Sequence, residues 1–241
     1  MSLKEALDYR RAIRYYDHER SIDPALIREC LQLAQLAPTS SNLQLWEAYH
    51  VVSPQLKASI AQASFDQMAV STADQLVVFV TREDLASEHA RRVLDFELGN
   101  VERNSPQERW EHRKQRYKTY YGRIMPIYHA RCCGLAGLLR EGLSQLIGLF
   151  RPIPRHLLES DIDTQTHKSC ALVAQTFMLA MAERRLDTCP IEGFDEYRVR
   201  RLLGLPSGAR VSLIVSCGYR TERGVWGERF RLPFEEVYHQ I

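Results

Sequence analysis

Several protein classes are excluded by what this sequence does not contain. Its six cysteines, Cys30, Cys132, Cys133, Cys170, Cys189 and Cys217, include no Cys-x-x-Cys pair. No Cys/His group has zinc-ligand spacing, so no metal site is expected. Cys30 and Cys170 fall inside apolar helical patterns, where cysteine acts as a small hydrophobe, and a reducing, cytoplasmic setting is expected. The first residues, Met1 to Asp17, are charged and lack the apolar core and cleavage site of a signal peptide. The longest apolar stretch, Cys132 to Phe150, is interrupted by Arg140 and Glu141 and falls short of a membrane span. It reads as a buried or dimer-facing helix, with a membrane-surface segment as the alternative. Neither sign of charge dominates: 32 lysines and arginines face 30 carboxylates, a formal net charge of +2. Attraction of the whole molecule to nucleic acid or to an anionic membrane is therefore not implied, which leaves local basic patches for either. Internal repeats, low-complexity tracts and linkers are all missing.

What is present suits a packed globular chain. The 241 residues are 45% apolar and 26% charged, as expected of one α+β domain over residues 1–241. A first helix is expected from about Leu3 to Ile13. A second begins at Asp23-Pro24, where Asp caps and Pro suits the first turn, and runs to Pro38. Strands are expected near Ala48–Val52, Leu76–Thr81 and Arg210–Cys217. The span from Glu83 to Gly148 reads as three helices. Another amphipathic helix covers Ser169–Arg185, and a short one Asp195–Leu203 stops at Gly204. After Gly218 comes a long tail without a core pattern, of the kind that packs along a partner.

Basic residues gather at element ends. Arg10, Arg11 and Arg14 come where the first helix gives out, and Arg10 and Arg14 share a face if that helix continues. Arg229 and Arg231 flank Phe230 in an extended stretch, so alternation sends both to one side. Arginine suits phosphate because its guanidinium is a planar, permanently charged set of donors. A solvated basic face is the competing reading. The loop Pro38-Thr39-Ser40-Ser41-Asn42 offers small hydroxyl and amide groups, and either binds a polyol or phosphate or merely ends a helix. Pro190-Ile191-Glu192-Gly193-Phe194 places a glycine turn between two helices, where backbone can approach a flat ligand and aim an N–H at it.

Four segments in order, Arg-Arg-x-x-Arg-Tyr-Tyr-Asp from Arg10, Pro-Thr-Ser-Ser-Asn-Leu-Gln-Leu-Trp from Pro38, Pro-Ile-Glu-Gly-Phe-Asp from Pro190 and Arg-Phe-Arg-Leu-Pro from Arg229, resemble the FMN-dependent nitroreductase family. The resemblance implies a nitroreductase-like fold: a central, mostly antiparallel sheet flanked by helices. It also implies a helical insertion or lid at about residues 100–165 and a C-terminal extension, about 219–241, reaching a partner subunit. It further implies a homodimer with FMN at the interface and NAD(P)H as electron donor. Arg10, Arg11, Arg229 and Arg231 would hold the FMN phosphate, with Arg14 at the pyrimidine edge. Asp66 or Gln67 would bond the same ring. Thr39, Ser40, Ser41 and Asn42, after Pro38, would reach in from the other subunit. Pro190 and Ile191 would lead to a backbone N–H of Glu192 or Gly193 at flavin N5, with no obligatory acid or base. Tyr120, Tyr121, His129 and Lys168 would face a small aromatic acceptor, nitroaromatic or quinone-like. Ala12, Leu45 and Ala69 depart from the family pattern: a phosphate-binding hydroxyl, a proline and a second lysine respectively are missing.

Other readings compete. A specialised enzyme of the same fold (dehalogenase, ring dehydrogenase or flavin-fragmenting) would use the same binding residues, as would a non-catalytic flavin-binding protein. A nucleic-acid module would use Arg109–Lys118 with Trp110, Tyr117 and Tyr120. Glu108 and Glu111 dilute that run, and no nucleic-acid partner is expected.

Overall fold

The computed structural model describes all 241 residues. At its centre lies a four-stranded antiparallel sheet in the order β1-β2-β4-β3. Its strands are β1 (Trp46–Val51), β2 (Gln75–Arg82), β3 (Asp187–Ile191) and β4 (Ala209–Gly218). β2 and β4 are interior, and their near-continuous Val/Ile/Leu runs follow because both sheet faces are covered. Alternation along them sorts side chains onto two cores. Leu76, Val78, Val80 and Ile214 pack with Ile13, Tyr16 and Ile60 on one face. Val77, Phe79, Leu213 and Val215 pack with Ile27, Cys30, Cys170 and Phe177 on the other.

Around the sheet stand α1 (Leu3–Tyr9), α2 (Pro24–Ala34), α3 (Pro54–Ala63) and α4 (Met68–Ser71). Next come α5 (Ala86–Asn104), α6 (Trp110–Thr119), α7 (Met125–Tyr128) and α8 (Leu135–Ile147). α9 (Glu159–Glu183), α10 (Glu196–Leu202) and α11 (Phe234–Val237) complete the set. Asp23 caps α2 by accepting from the amide of Ala25 at 2.9 Å, as its position before Pro24 implies. The helix stops at Ala34, one turn short of the expected end at Pro38.

Three expectations are corrected. α1 ends at Tyr9, not Ile13, because Arg10 turns extended (φ −62°, ψ 118°) and Ala12 pairs in parallel with Thr188 of β3. Arg10 and Arg14 therefore share no helical face. β3 is a strand that went unseen, being only five residues long and carrying Pro190. Proline is tolerated there because β3 is the edge strand of the sheet, and the Ala12–Ile13 segment that bonds its outer side does so at Thr188, not at Pro190. α9 begins at Glu159, ten residues before Ser169, since the sole inward residues of its first turns, Ile162, Thr166 and Cys170, form too sparse a stripe to stand out.

The helices α5 to α8 overlap the segment expected to form a lid, about residues 100–165, and are called the lid. α6 passes through a π turn, Tyr120–Ile124, into α7, whose Pro126 contributes no amide to the helical ladder. A third small core, with Leu43, Leu45, Ala90, Val93, Tyr121 and Met125, ties the lid to the segment before β1.

Candidate active site: an arginine cleft at the sheet edge

Two chain ends meet beside β3. The segment after α1 runs along the strand, with the amide of Ile13 donating to Thr188 O at 3.3 Å and that of Arg14 to Gly224 O at 2.7 Å. Gly224 is required: a Cβ there would lie 2.6 Å from Tyr15 O. A buried carboxylate sets the register. Asp187, 3% exposed, accepts from Arg220 Nε at 2.7 Å and from its backbone amide at 2.8 Å. Arg220 then donates from Nη2 to Tyr9 O at 3.0 Å, closing the end of α1. Neither Asp187 nor Arg220 stands out in the sequence, since only the fold joins them.

This arrangement brings Arg10, Arg11, Arg14, Arg229 and Arg231 to one cleft of about 350 Å³, with Ala12, Trp226, Glu228 and Phe230 completing its wall. Arg11 Nη2 donates to Gly227 O at 2.9 Å. Arg229 Nη2 donates to Asp8 O at 3.0 Å and Arg10 O at 2.8 Å. Five arginines and one carboxylate, Glu228, thus line the cleft, and Asp8 lies 3.9 Å from Arg229. Burial, and then the neighbouring Arg229 and Arg231, hold the Arg10 guanidinium below its ordinary range. Such crowding of like charge is relieved by a bound dianion, which five planar donors can grip. Three larger hollows, about 510 Å³ beside Asn42 and Trp46, about 820 Å³ along α6 and about 750 Å³ between α3 and α10, lack this concentration of arginines.

Pro190 and Ile191 are the last residues of β3, so the Pro190–Gly193 segment leaves the same sheet edge. Gln67 Nε2 donates to Gly193 O at 2.6 Å, holding the turn from the side of α4. The amides of Glu192 and Gly193, both exposed, donate to no acceptor within the chain. Asp66 is exposed, with a left-handed backbone (φ 50°). The residues that depart from the family pattern have clear surroundings. Ala12 lines the cleft, while the hydroxyl of Thr188, its pairing partner, is buried without a partner. Leu45 belongs to the lid core, and Ala69, 3% exposed, packs beneath the sheet.

The loop from Pro38 to Asn42 lies elsewhere in the chain. The amide of Ser40 donates to Ser169 Oγ of α9 at 3.1 Å. Ser41 Oγ is 2.8 Å from Tyr120 OH, and Tyr121 OH donates to Ser41 O at 3.1 Å. Ser41, Asn42 and Gln44 all have left-handed backbone, φ 51°, 53° and 51°. Tyr120 and Tyr121 therefore clasp this loop, and Tyr121 is buried rather than facing an open lid surface. His129 is turned inward as well: its Nδ1 lies 2.9 Å from Glu83 Oε2, and both side chains are buried. Glu83 also accepts from the Thr166 hydroxyl, which pins the lid to α9. Lys168 is exposed on α9. In the Arg109–Lys118 run, Lys114 pairs with Glu102 at 2.6 Å and Arg113 donates to Ser105 Oγ at 2.7 Å. Trp110 Nε1 donates to Ser105 O, so Trp110, Arg113 and Lys114 hold the lid together.

A four-stranded antiparallel sheet with helices on both faces and a cleft of five arginines at its edge defines an α+β protein. The sequence matches the nitroreductase family over residues 7–219, and the chain belongs to that family. It is 29% identical over 238 residues to an NADH dehydrogenase of Thermus thermophilus, covering 98% of this chain and 95% of that one. It is 23% identical to the oxygen-insensitive NAD(P)H nitroreductase of Enterobacter cloacae, covering 86% and 82%. The structure of an Exiguobacterium sibiricum protein described as a nitroreductase in complex with FMN superposes with a TM-score of 0.70 at 20% identity, covering all of this chain and 98% of that one. The fold expected from the sequence is the fold observed.

Proposed function

We propose that this chain is an FMN-dependent oxidoreductase that takes electrons from NAD(P)H and passes them to a small aromatic acceptor, nitroaromatic or quinone-like. The observation that carries this reading is the cleft of five arginines with one carboxylate, set against the edge strand that ends in Pro190–Gly193. FMN, bound there, would supply the hydride chemistry at its N5, which no protein side chain can provide. Arg10, Arg11, Arg229 and Arg231 would hold its phosphate, and Arg14, in the same cleft, would oppose negative charge at the pyrimidine edge. The unpartnered amides of Glu192 and Gly193 are preorganised donors for N5. Gln67 fixes the turn that presents them.

The other half of the site is proposed to come from a second copy of the chain. The Thr39–Asn42 loop sits against α9 and the lid, away from its own arginine cleft, and would reach the partner's FMN. The tail supports the same reading: Trp226, Phe230, Leu232 and Phe234 are each more than half exposed in one chain and would pack on the partner. An absorption spectrum of the purified protein tests the cofactor, with flavin bands expected near about 370 and 450 nm. Anaerobic titration with NADH and NADPH should then bleach the 450 nm band. A colourless protein that does not take up added FMN rejects the reading. Flavin that neither nucleotide reduces rejects NAD(P)H as the donor.

A further inference from the structure

α8 is an amphipathic helix packed the reverse way round. Its polar residues, apart from the exposed Gln145, turn toward the protein. Arg140 donates from Nε to Leu157 O at 3.3 Å and from Nη1 to Ile127 O at 3.2 Å. Glu141 accepts from the amide of Leu157 at 2.7 Å, and Ser144 is 2% exposed. Gly137 lies against α9, where a Cβ would fall 2.7 Å from the Glu159 amide. Leu135, Leu138, Leu139, Leu143 and Leu146, followed by Leu149 and Phe150, form the opposite stripe, and each is 56% exposed or more. Helical spacing places them on one continuous face, about 20 Å long at 1.5 Å per residue. The two charges that interrupt this stretch in the sequence do not interrupt that face.

The chain around this face carries an excess of positive charge, with Glu159 the carboxylate at its N-terminal end, accepting from the amides of Cys132 and Gly134 at 3.1 Å. Between Glu111 and Glu159 the chain has nine lysines and arginines but a single carboxylate, Glu141, whereas the whole chain carries only +2. Glu141 is engaged by the Leu157 amide and the Gln145 side chain, both at 2.7 Å. Arg116, Lys118, Arg123, Arg151 and Arg155 are exposed and have no carboxylate partner. Arg155 lies at the C-terminal end of α8, donating to Gly148 O. A bare leucine face within an excess of cations matches a surface that is apolar below and anionic above. Two such lids facing one another would set positive charge on positive charge.

We propose that α8 docks this protein peripherally on an anionic lipid bilayer. The leucines seat at the acyl boundary while the unpaired arginines and lysines of the lid meet the headgroups. No helix is long and apolar enough to cross a membrane, so the contact is one of adsorption. This surface is separate from the arginine cleft, and its test needs no turnover.

The test is co-sedimentation of the full chain with phosphatidylcholine vesicles containing 0 or about 50 mol% phosphatidylglycerol, at low and high salt. Binding to the anionic vesicles is expected, weakening with salt, and binding to neutral vesicles should be at least about tenfold lower. Leu139→Ser with Leu143→Ser should reduce the bound fraction about tenfold or more, with far-UV circular dichroism and melting temperature unchanged because both positions are exposed. Arg123→Gln with Arg151→Gln should weaken binding to anionic vesicles alone. No sedimentation with anionic vesicles, or equal binding by the leucine variant, overturns the proposal. So does an assembly that the leucine substitutions split in analytical ultracentrifugation while the wild-type protein ignores vesicles, since α8 would then be a subunit interface.

Discussion

Arg10 and Arg14 line one cleft but stand in different company. Arg10 is half-buried, and its charge is disfavoured by burial and then by Arg229 and Arg231. A phosphate dianion would remove that penalty, so Arg10→Gln and Arg231→Gln should each weaken FMN binding by about tenfold, the worth of one charge-assisted contact. Fluorescence titration of the apoprotein with FMN measures this, and unaltered affinity would dissociate the cleft from the phosphate. Arg14 is assigned to the ring rather than the phosphate. Arg14→Met should therefore leave FMN bound yet lower its reduction potential, read by equilibration with a reference dye. An unchanged potential removes the assignment.

The elements are held in place by a few polar contacts that cross between them. Asp187 at the start of β3 is almost fully buried. Burial acts most strongly to lower the proton affinity of Arg220, but the hydrogen bonds and charge of Asp187, together with Tyr9, outweigh it and hold the guanidinium above its ordinary range. Asp187→Asn leaves a partly buried cation without its counter-charge and should cost about 2 kcal/mol of stability, measured as a lower urea midpoint. It should also loosen the arginine segment, because Arg220 holds Tyr9 O. On the other side of the sheet, Tyr121 donates to Ser41 O, within a stretch whose left-handed conformations need external support. Tyr121→Phe should cost about 1 kcal/mol and raise amide hydrogen exchange across Ser40–Asn42. Exchange rates matching the wild type would show that the lid does not brace this loop.

At the scale of the molecule, the two ends of the chain share one task. Removing the residues after Gly227 deletes Arg229 and Arg231 together with the exposed apolar tail. The expected result is at least about a hundredfold loss of FMN affinity, from two arginine contacts of about tenfold each, and a smaller assembly by sedimentation velocity. The cysteines report on the core instead. Burial pushes the Cys170 thiol up to about 12 and the Cys30 thiol up to about 11, against an ordinary value of 9.0. In the unfolded chain both ionise near pH 9, while in the folded chain they keep their protons. Their contribution is therefore complete below pH 9 and is lost as pH rises through 11 to 12. Denaturant midpoints should fall over that range, and Cys170→Ala should flatten the fall. At neutral pH a thiol reagent should modify Cys132 and Cys133 rapidly, and the four buried cysteines only after unfolding.

The sequence by itself determined the fold class, the family and the set of cleft arginines. Those features rest on local signals: helical and strand periodicity, caps such as Asp23-Pro24, and four short motifs in order. It also marked the break at Glu192–Gly193, because glycine announces a turn, but Pro190 and Ile191, read as part of that turn, belong to β3. Tertiary structure alone decided how these pieces meet. β3 became a strand because β4 and the Arg10–Arg14 segment flank it, although its own five residues with a proline carry little strand signal. The same contacts ended α1 early, since pairing with Thr188 outweighed local helical preference in a short, polar helix. Asp187 and Arg220, 33 residues apart, and Glu83 and His129, 46 residues apart, are paired by packing that no spacing rule anticipates. The direction of α8 was decided in the same way. Periodicity shows that a helix has an apolar face, but which face turns to the protein depends on the partners of Arg140 and Glu141, and they turned the leucines outward.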